Sequence, residues 1–149
     1  FPYKISSEIL FNLLRNRDII PEMVGMFQKE VAERIVAKNG KKRGAISILL
    51  QAFYEIEYCL TVEETSFNPP PKVKSGVIRL KRNERQTLTC GIKLFENLVK
   101  TGFNQKRKKL RNALKTFTFE NKIEITELLE KRAEQLSVEE FEKLASYVR

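Results

Sequence analysis

No histidine occurs among the 149 residues, and only two cysteines, Cys59 and Cys90. A zinc centre needs several Cys, His or carboxylate ligands at short spacing. Neither cysteine has a CxxC neighbour or a histidine to share an ion, so no metal site is expected. The two thiols read as reduced core residues of a cytoplasmic protein, because disulfides belong to oxidising compartments. Also missing is any apolar run of about 18 residues, the least that crosses a bilayer as a helix. Nor is there a long basic amphipathic helix with a bulky aromatic face, so no membrane role is expected. Internal repeats are absent, and the only biased tract is Pro69 to Pro71. The chain opens at Phe1 without a Met or a signal peptide, which reads as a fragment or a processed chain.

Hydrophobic residues make up 42% and charged residues 32% of the chain, a globular balance. The formal charge is +9, but residues 119–149 hold eight Glu against Lys122, Lys131, Arg132, Lys143 and Arg149. That segment is therefore at −3, and the first 118 residues carry +12. Such a concentration favours a polyanionic partner, since each neutralised phosphate releases counterions. Nucleic acid leads, and an anionic membrane surface comes second.

Apolar spacing at Ile5, Ile9, Leu10, Leu13 and Leu14 predicts a helix over about 6–16, with Ser6 as its cap and Glu8 in the first turn. Met23 to Phe27 reads as a strand, Val31 to Val36 as a helix, Lys38 to Arg43 as a basic loop and Ala45 to Tyr54 as a third helix. Ile56, Tyr58, Leu60 and Val62 alternate with polar neighbours, which predicts a strand with those four on one face. Asn68 to Lys72 forms a stiff connector into a strand at Val77 to Arg82. These alternating elements look like the second half of an open α/β sheet, with apolar surface left uncovered and available for self-association. Beyond a boundary at about 83–86 the pattern is helical, giving an α/β part over 1–83 and a helical part over 84–149. One helix starts near Ile92 and stops at Gly102, and a second, capped by Asn104, covers 105 to about 116. The last begins near Val138, with Ser137 and Glu140 as a capping box and Leu136 and Phe141 as a hydrophobic staple.

Lys106, Arg107, Lys108, Lys109, Arg111 and Lys115 place six cations in ten residues without one acid. On a helix of about 100° per residue, Leu110, Ala113 and Leu114 share one face and Arg107, Lys108, Arg111 and Lys115 the opposite one. A cationic ridge for phosphate contacts is expected; a solvated helix face is the bland alternative. The loop of Lys38, Lys41, Lys42 and Arg43 either touches RNA or merely stays solvated. On spacing alone Tyr3 and Phe67 are equally well core aromatics.

Several stretches resemble one family. Phe1-Pro2-Tyr3 resembles the end of the Asn-X-Pro-Tyr motif of amino-directed methyltransferases, with the Asn one position before the chain begins. Gln28, Lys29, Glu30, Val31, Ala32 and Arg34 resemble the Gln-Lys-Glu-Val-Ala-X-Arg stretch of ribosomal RNA adenine dimethyltransferases. Phe67 to Val73 with Ser75 resembles that family's Phe-X-Pro-Pro-Pro-Lys-Val-X-Ser turn, and Phe103 to Lys108 with Arg111 and Asn112 its Phe-Asn-Gln-Arg-Arg-Lys helix. Singly these are weak; four in order over most of the chain are specific. The macrolide-resistance relatives share only the first and third, so the resemblance is to the small-subunit enzyme.

The resemblance implies a Rossmann-like methyltransferase sheet, followed by a small RNA-binding helical domain. It implies methyl transfer from S-adenosylmethionine to adenine N6 in small-subunit ribosomal RNA or an immature small ribosomal subunit. Adenine N6 is a poor nucleophile, so its amino group must be held by acceptors and aligned with the methyl carbon. By resemblance the Pro2 carbonyl is one acceptor, Tyr3 stacks on the base and Phe67 closes the other side. Arg43, Lys72, Lys106, Arg107, Lys108, Arg111 and Lys115 are the expected RNA contacts, and Gln28, Glu30 and Arg34 a structural cluster. The Gly-rich turn and acidic residue that bind the donor in this family are not in the sequence, so the chain alone is expected to be inactive. A non-catalytic RNA-binding module and a helical protein-interaction domain are the readings from other classes.

Overall fold

A computed structural model describes residues 5–85, 88 and 90–149. Pro2 and Tyr3 lie outside the described residues. Helix α1 (Ser6–Arg15) leads to strand β1 (Glu22–Gln28), then α2 (Lys29–Val36), α3 (Ala45–Gln51) and β2 (Tyr54–Val62). A 3-10 turn (Glu64–Ser66) precedes β3 (Ser75–Arg82); α4 (Ile92–Asn104), α5 (Leu110–Ala113), α6 (Lys122–Leu129), a 3-10 turn (Ala133–Gln135) and α7 (Val138–Ser146) follow. The sheet order is β1-β3-β2, with β3 antiparallel to both neighbours. Strands β1 and β2 therefore run parallel to each other, joined by two helices as parallel strands require.

One sheet face is packed. Phe27, Ile78 and Leu80 are fully buried there, and a Cβ on Gly76 would meet Ala32 Cβ at 2.8 Å and Tyr58 Oη at 2.7 Å. Gly76 thus lets α2 sit directly on the strand. On the other face the expected alternation of β2 fails. A register shift between Tyr58 and Leu60 pairs Leu60 with Val77. Such a bulge reverses the side of every later residue. Ile56 and Tyr58 consequently remain on the helix side, while Leu60 stands outside, 53% exposed. Cys59, at this irregularity, is exposed rather than a core thiol.

At the start of β2, Arg17 and Arg82 lie over the Phe53 ring at 4.4 and 5.3 Å. Arg82 also donates to the carbonyls of Arg17 and Phe53, at 3.2 and 3.0 Å, tying α1 to both strands. A single buried cluster runs from Leu10 through Phe53, Phe95 and Leu98 to Ala145. Burial of such side chains at roughly 25 cal/mol per Å² is the main force holding these elements together.

Several local expectations change. Ser6 lies inside α1, whose N-cap is Ile5. Gly102 does not end α4, which runs to Asn104; its missing side chain instead admits Leu110 Cδ2, which a Cβ would meet at 3.2 Å. The start of α7 is as expected: Glu140 N–H donates to Ser137 Oγ at 3.1 Å, and Ser137 N–H to Glu140 Oε1 at 3.0 Å.

Candidate nucleic-acid interface

The expected site residues fall at two ends of the sheet. Phe67 and Lys72 sit on the β2–β3 connector, beside the end of β1, where Lys29 N–H donates to the Lys74 carbonyl at 2.8 Å. Phe67 is half-buried, and Lys72 is exposed. The Asn68–Pro69 bond in this turn is cis. Gln28 ends β1 and N-caps α2 without a side-chain cap bond, and Arg34 faces Glu30 across 3.8 Å with both exposed, a weak surface pair.

At the opposite end, Lys38 and Arg43 line a crevice with Tyr54 and Glu55 at the start of β2. Strand β2 has nine residues, and at about 3.3 Å per residue it separates the two ends by roughly 26 Å. Phe67 and the basic loop therefore cannot touch one nucleotide together.

The basic run is not a helix from 105 to 116. α4 ends at Asn104, a turn follows, and Lys109 takes an extended conformation (φ −62°, ψ 148°) as N-cap of the short α5. Leu110 causes the break. It is fully buried, and its N–H donates to the Lys131 carbonyl at 2.8 Å. Seating an apolar side chain in the core outweighs the few tenths of a kcal/mol per residue that helix propensity offers.

The projected ridge is thereby dissolved. Lys109 Nζ lies 2.9 Å and Arg111 Nε 3.5 Å from Glu130 carboxylate oxygens. The Lys109 hydrogen bond is the main reason the Glu130 carboxyl is held below its ordinary range. Lys106 Nζ donates to the Lys41 carbonyl. Arg107, Lys108 and Lys115 are exposed.

Arg43, expected to contact RNA, is turned inward. It is 2% exposed, and its Nη1 donates to the carbonyls of Glu134, at 3.2 Å, and Leu136. A guanidinium with its donors turned inward cannot grip phosphate. It anchors the α2–α3 loop to the turn before α7. Burial, partly offset by Glu140, holds it below the usual arginine range. Nothing in the sequence marks Glu130 as a partner of the basic run, or the carbonyls of Glu134 and Leu136 as partners of Arg43. Both are contacts between segments far apart in the chain.

Among the described residues no three His, Cys, Asp or Glu side chains are grouped to hold a metal ion. No helix is long and apolar enough to cross a membrane. One crevice is lined by Lys38, Glu55, Glu57, Arg79, Lys81 and Glu139, among others. It offers charges of both signs and no glycine turn that would admit a nucleoside.

The profile of the family described as "Ribosomal RNA adenine dimethylase" matches residues 1–149. A curated relative named ribosomal RNA small subunit methyltransferase A, from Cytophaga hutchinsonii, is 63% identical over 95% of this chain and 55% of its own length. That from Flavobacterium johnsoniae is 58% identical over 95% of the chain and 54% of its own length. The chain spans about half the length of these relatives. Among solved structures, a dimethyladenosine transferase from Plasmodium falciparum superposes with a TM-score of 0.80 at 28% identity, over 99% of this chain and 66% of that one. The 23S rRNA methyltransferase ErmE gives 0.73 at 18% identity, over 99% and 62%, a likeness of fold alone.

Proposed function

The chain belongs to the ribosomal RNA adenine dimethylase family, and from that premise we propose that it is the RNA-holding part of an enzyme that dimethylates adenine N6 in small-subunit ribosomal RNA. The family match over the whole chain carries the reading. The substrate is ribosomal RNA, free or in an immature small subunit, in the cytoplasm.

In this reading the three strands belong to a Rossmann-like sheet. The parallel pair β1 and β2, joined through α2 and α3, is the observation that favours it. Residues 1–83 serve the catalytic unit and 84–149 form the helical RNA-binding unit. The Pro2 carbonyl accepts from the adenine amino group, Tyr3 stacks on the base, and Phe67, on its exposed connector, closes the opposite side. Lys72 sits close enough along the chain to Phe67 to hold the adjoining phosphate. Arg107, Lys108 and Lys115 contact phosphates at the other end, and Lys106, Arg111 and Lys109 contribute as far as their protein partners release them.

S-adenosylmethionine is the methyl donor that the family implies. The crevice lined by Lys38, Glu55 and Lys81 does not fit its nucleoside. The outer face of the sheet, with Val24 57% and Leu60 53% exposed, is where a second copy of the isolated chain associates.

Incorporation of labelled methyl groups into small-subunit ribosomal RNA tests the reading. The isolated chain is expected to give none. In the longer enzyme, Tyr3→Ala is expected to lower turnover at least about 100-fold, in the range of lost orientation effects, with RNA affinity within twofold. Turnover unchanged by Tyr3→Ala would remove the base-holding role, and methylation by the isolated chain would overturn the division of labour.

A further inference from the structure

We propose that Lys38 and Lys41 of the α2–α3 loop and Arg107 and Lys108 of the turn after α4 form one RNA-phosphate grip, with Lys106 as the strut between its halves. The proposal rests on the RNA-holding reading above and selects, within a loop that the sequence left open between RNA contact and solvation, the cations that take part; Arg43 is buried and is not one of them.

The two segments lie 65 residues apart, yet Lys106 Nζ donates to the Lys41 carbonyl. The turn and the loop are therefore neighbours, within reach of one lysine side chain. Beneath the loop, Arg43 is fixed to the carbonyls of Glu134 and Leu136. The loop is thus held from below by the turn before α7 and from the side by the turn after α4.

Lys38, Lys41, Arg107 and Lys108 are exposed, and among the described residues none has an acidic partner. Lys42 differs: its Nζ is 2.6 Å from Glu33 Oε2, and that bond lowers the Glu33 carboxyl below its ordinary value. Lys109 is held by Glu130. The structure thus separates cations free to meet phosphate from those already engaged, which the sequence run could not do.

The partner chemistry follows from what surrounds these charges. Residues 38–42 are Lys, Asn, Gly, Lys and Lys, and 105–108 are Gln, Lys, Arg and Lys. Neither run contains an apolar side chain, and Lys38 also lines the crevice shared with Glu55, Glu57, Ile56 and Val138. Stable protein interfaces need a desolvated apolar or aromatic centre, and membrane-surface segments need an apolar face. A patch of flexible cations without either fits a phosphate backbone, where contacts position the partner without reading its bases. Lying at the opposite end of the sheet from Phe67, the grip positions RNA whose reacting base is held elsewhere.

Filter binding of the chain to in vitro transcribed small-subunit ribosomal RNA, from 50 to 200 mM KCl, tests this. Lys38→Gln with Lys41→Gln is expected to weaken binding about 10-fold at 150 mM and to flatten the log–log salt slope by about 1.5, close to the 0.7 to 0.9 expected per cation. Lys42→Gln should stay within twofold, and a thermal melt should show all variants folded, since every substitution is on an exposed side chain. Arg107→Gln with Lys108→Gln tests the underlying reading separately. If that pair weakens binding while the Lys38/Lys41 pair does not, the joint grip is wrong and the RNA-holding reading stands. If neither pair matters, the RNA-holding reading fails as well. A loss with Lys42→Gln equal to that of the pair would overturn the grip in favour of net charge alone. Equal, Lys38/Lys41-dependent binding to phosphatidylserine vesicles would assign the patch to a membrane and overturn it too.

Discussion

Arg43 shows how little a residue's type says about its employment. In the sequence it closes a basic loop and reads as a surface cation. In the fold it is 2% exposed, with Nη1 shared between two backbone carbonyls. Among the described residues its Nε has no hydrogen-bond partner, so the site is held by the carbonyl contacts and by packing of the stem. Arg43→Ala leaves the Glu134 and Leu136 carbonyls without their donor and opens a void. The expected loss is roughly 2 to 4 kcal/mol, from about 1 to 3 per orphaned buried group. Urea unfolding measures it as a lower midpoint. Arg43→Lys should recover only part, because a single ammonium has neither the fork nor the length to repeat the geometry. A midpoint unmoved by Arg43→Ala would mean that the loop is not anchored there.

At the scale of elements, the sequence was legible at several places where local chemistry decides, though not at the expected Ser6 cap or Gly102 stop. The α7 start was readable because Ser137 and Glu140 satisfy each other's backbone donors three residues apart. Strands β1, β2 and β3 were readable to within two residues from alternation and flanking prolines. What failed depended on distant partners. The bulge that turns Leu60 outward is a feature of pairing with β3. The break at Lys109 exists because Leu110 reaches the core beside Gly102 and Lys131. Nor could spacing reveal that Glu130 of the α6 end occupies Lys109 and Arg111. On the proposed reading that carboxylate would compete with phosphate for the same cations. Glu130→Gln is therefore expected to raise RNA affinity about three- to tenfold and to steepen the salt dependence by up to two cations' worth. Acidity does not mimic the mutation near neutrality. The folded-state value of Glu130 is depressed, so its ion pairs are fully present above the ordinary carboxylate range and are lost only as pH falls through the lower folded value. Wild-type affinity should owe no change to this group between pH 6 and 8. An affinity equal to wild type in Glu130→Gln would show that Lys109 and Arg111 take no part in binding.

For the whole molecule, the asymmetry of the sheet matters most. Its inner face packs Phe27, Ile78 and Leu80 under α2 and α3, while on the outer face Met26, Val77 and Leu60 form one row across the three strands, with Val24 beside them. On one side the next row is Val24, Arg79 and Glu57, with Arg79 Nε 2.5 Å from Glu22; on the other it is Gln28, Ser75 and Val62. An apolar row bordered on one side by charges of both signs has the composition of an interface patch. Two copies laid face to face would bury Val24 and Leu60 of each. Sedimentation velocity of the isolated chain at increasing concentration is expected to show a monomer passing to a dimer in the micromolar range, a weak association in keeping with a small patch. Val24→Lys with Leu60→Lys should abolish the concentration dependence without altering far-UV circular dichroism, since both positions are more than half exposed. A wild-type chain that stays monomeric throughout would leave that face to some other segment or partner, and would exclude self-association as what covers it.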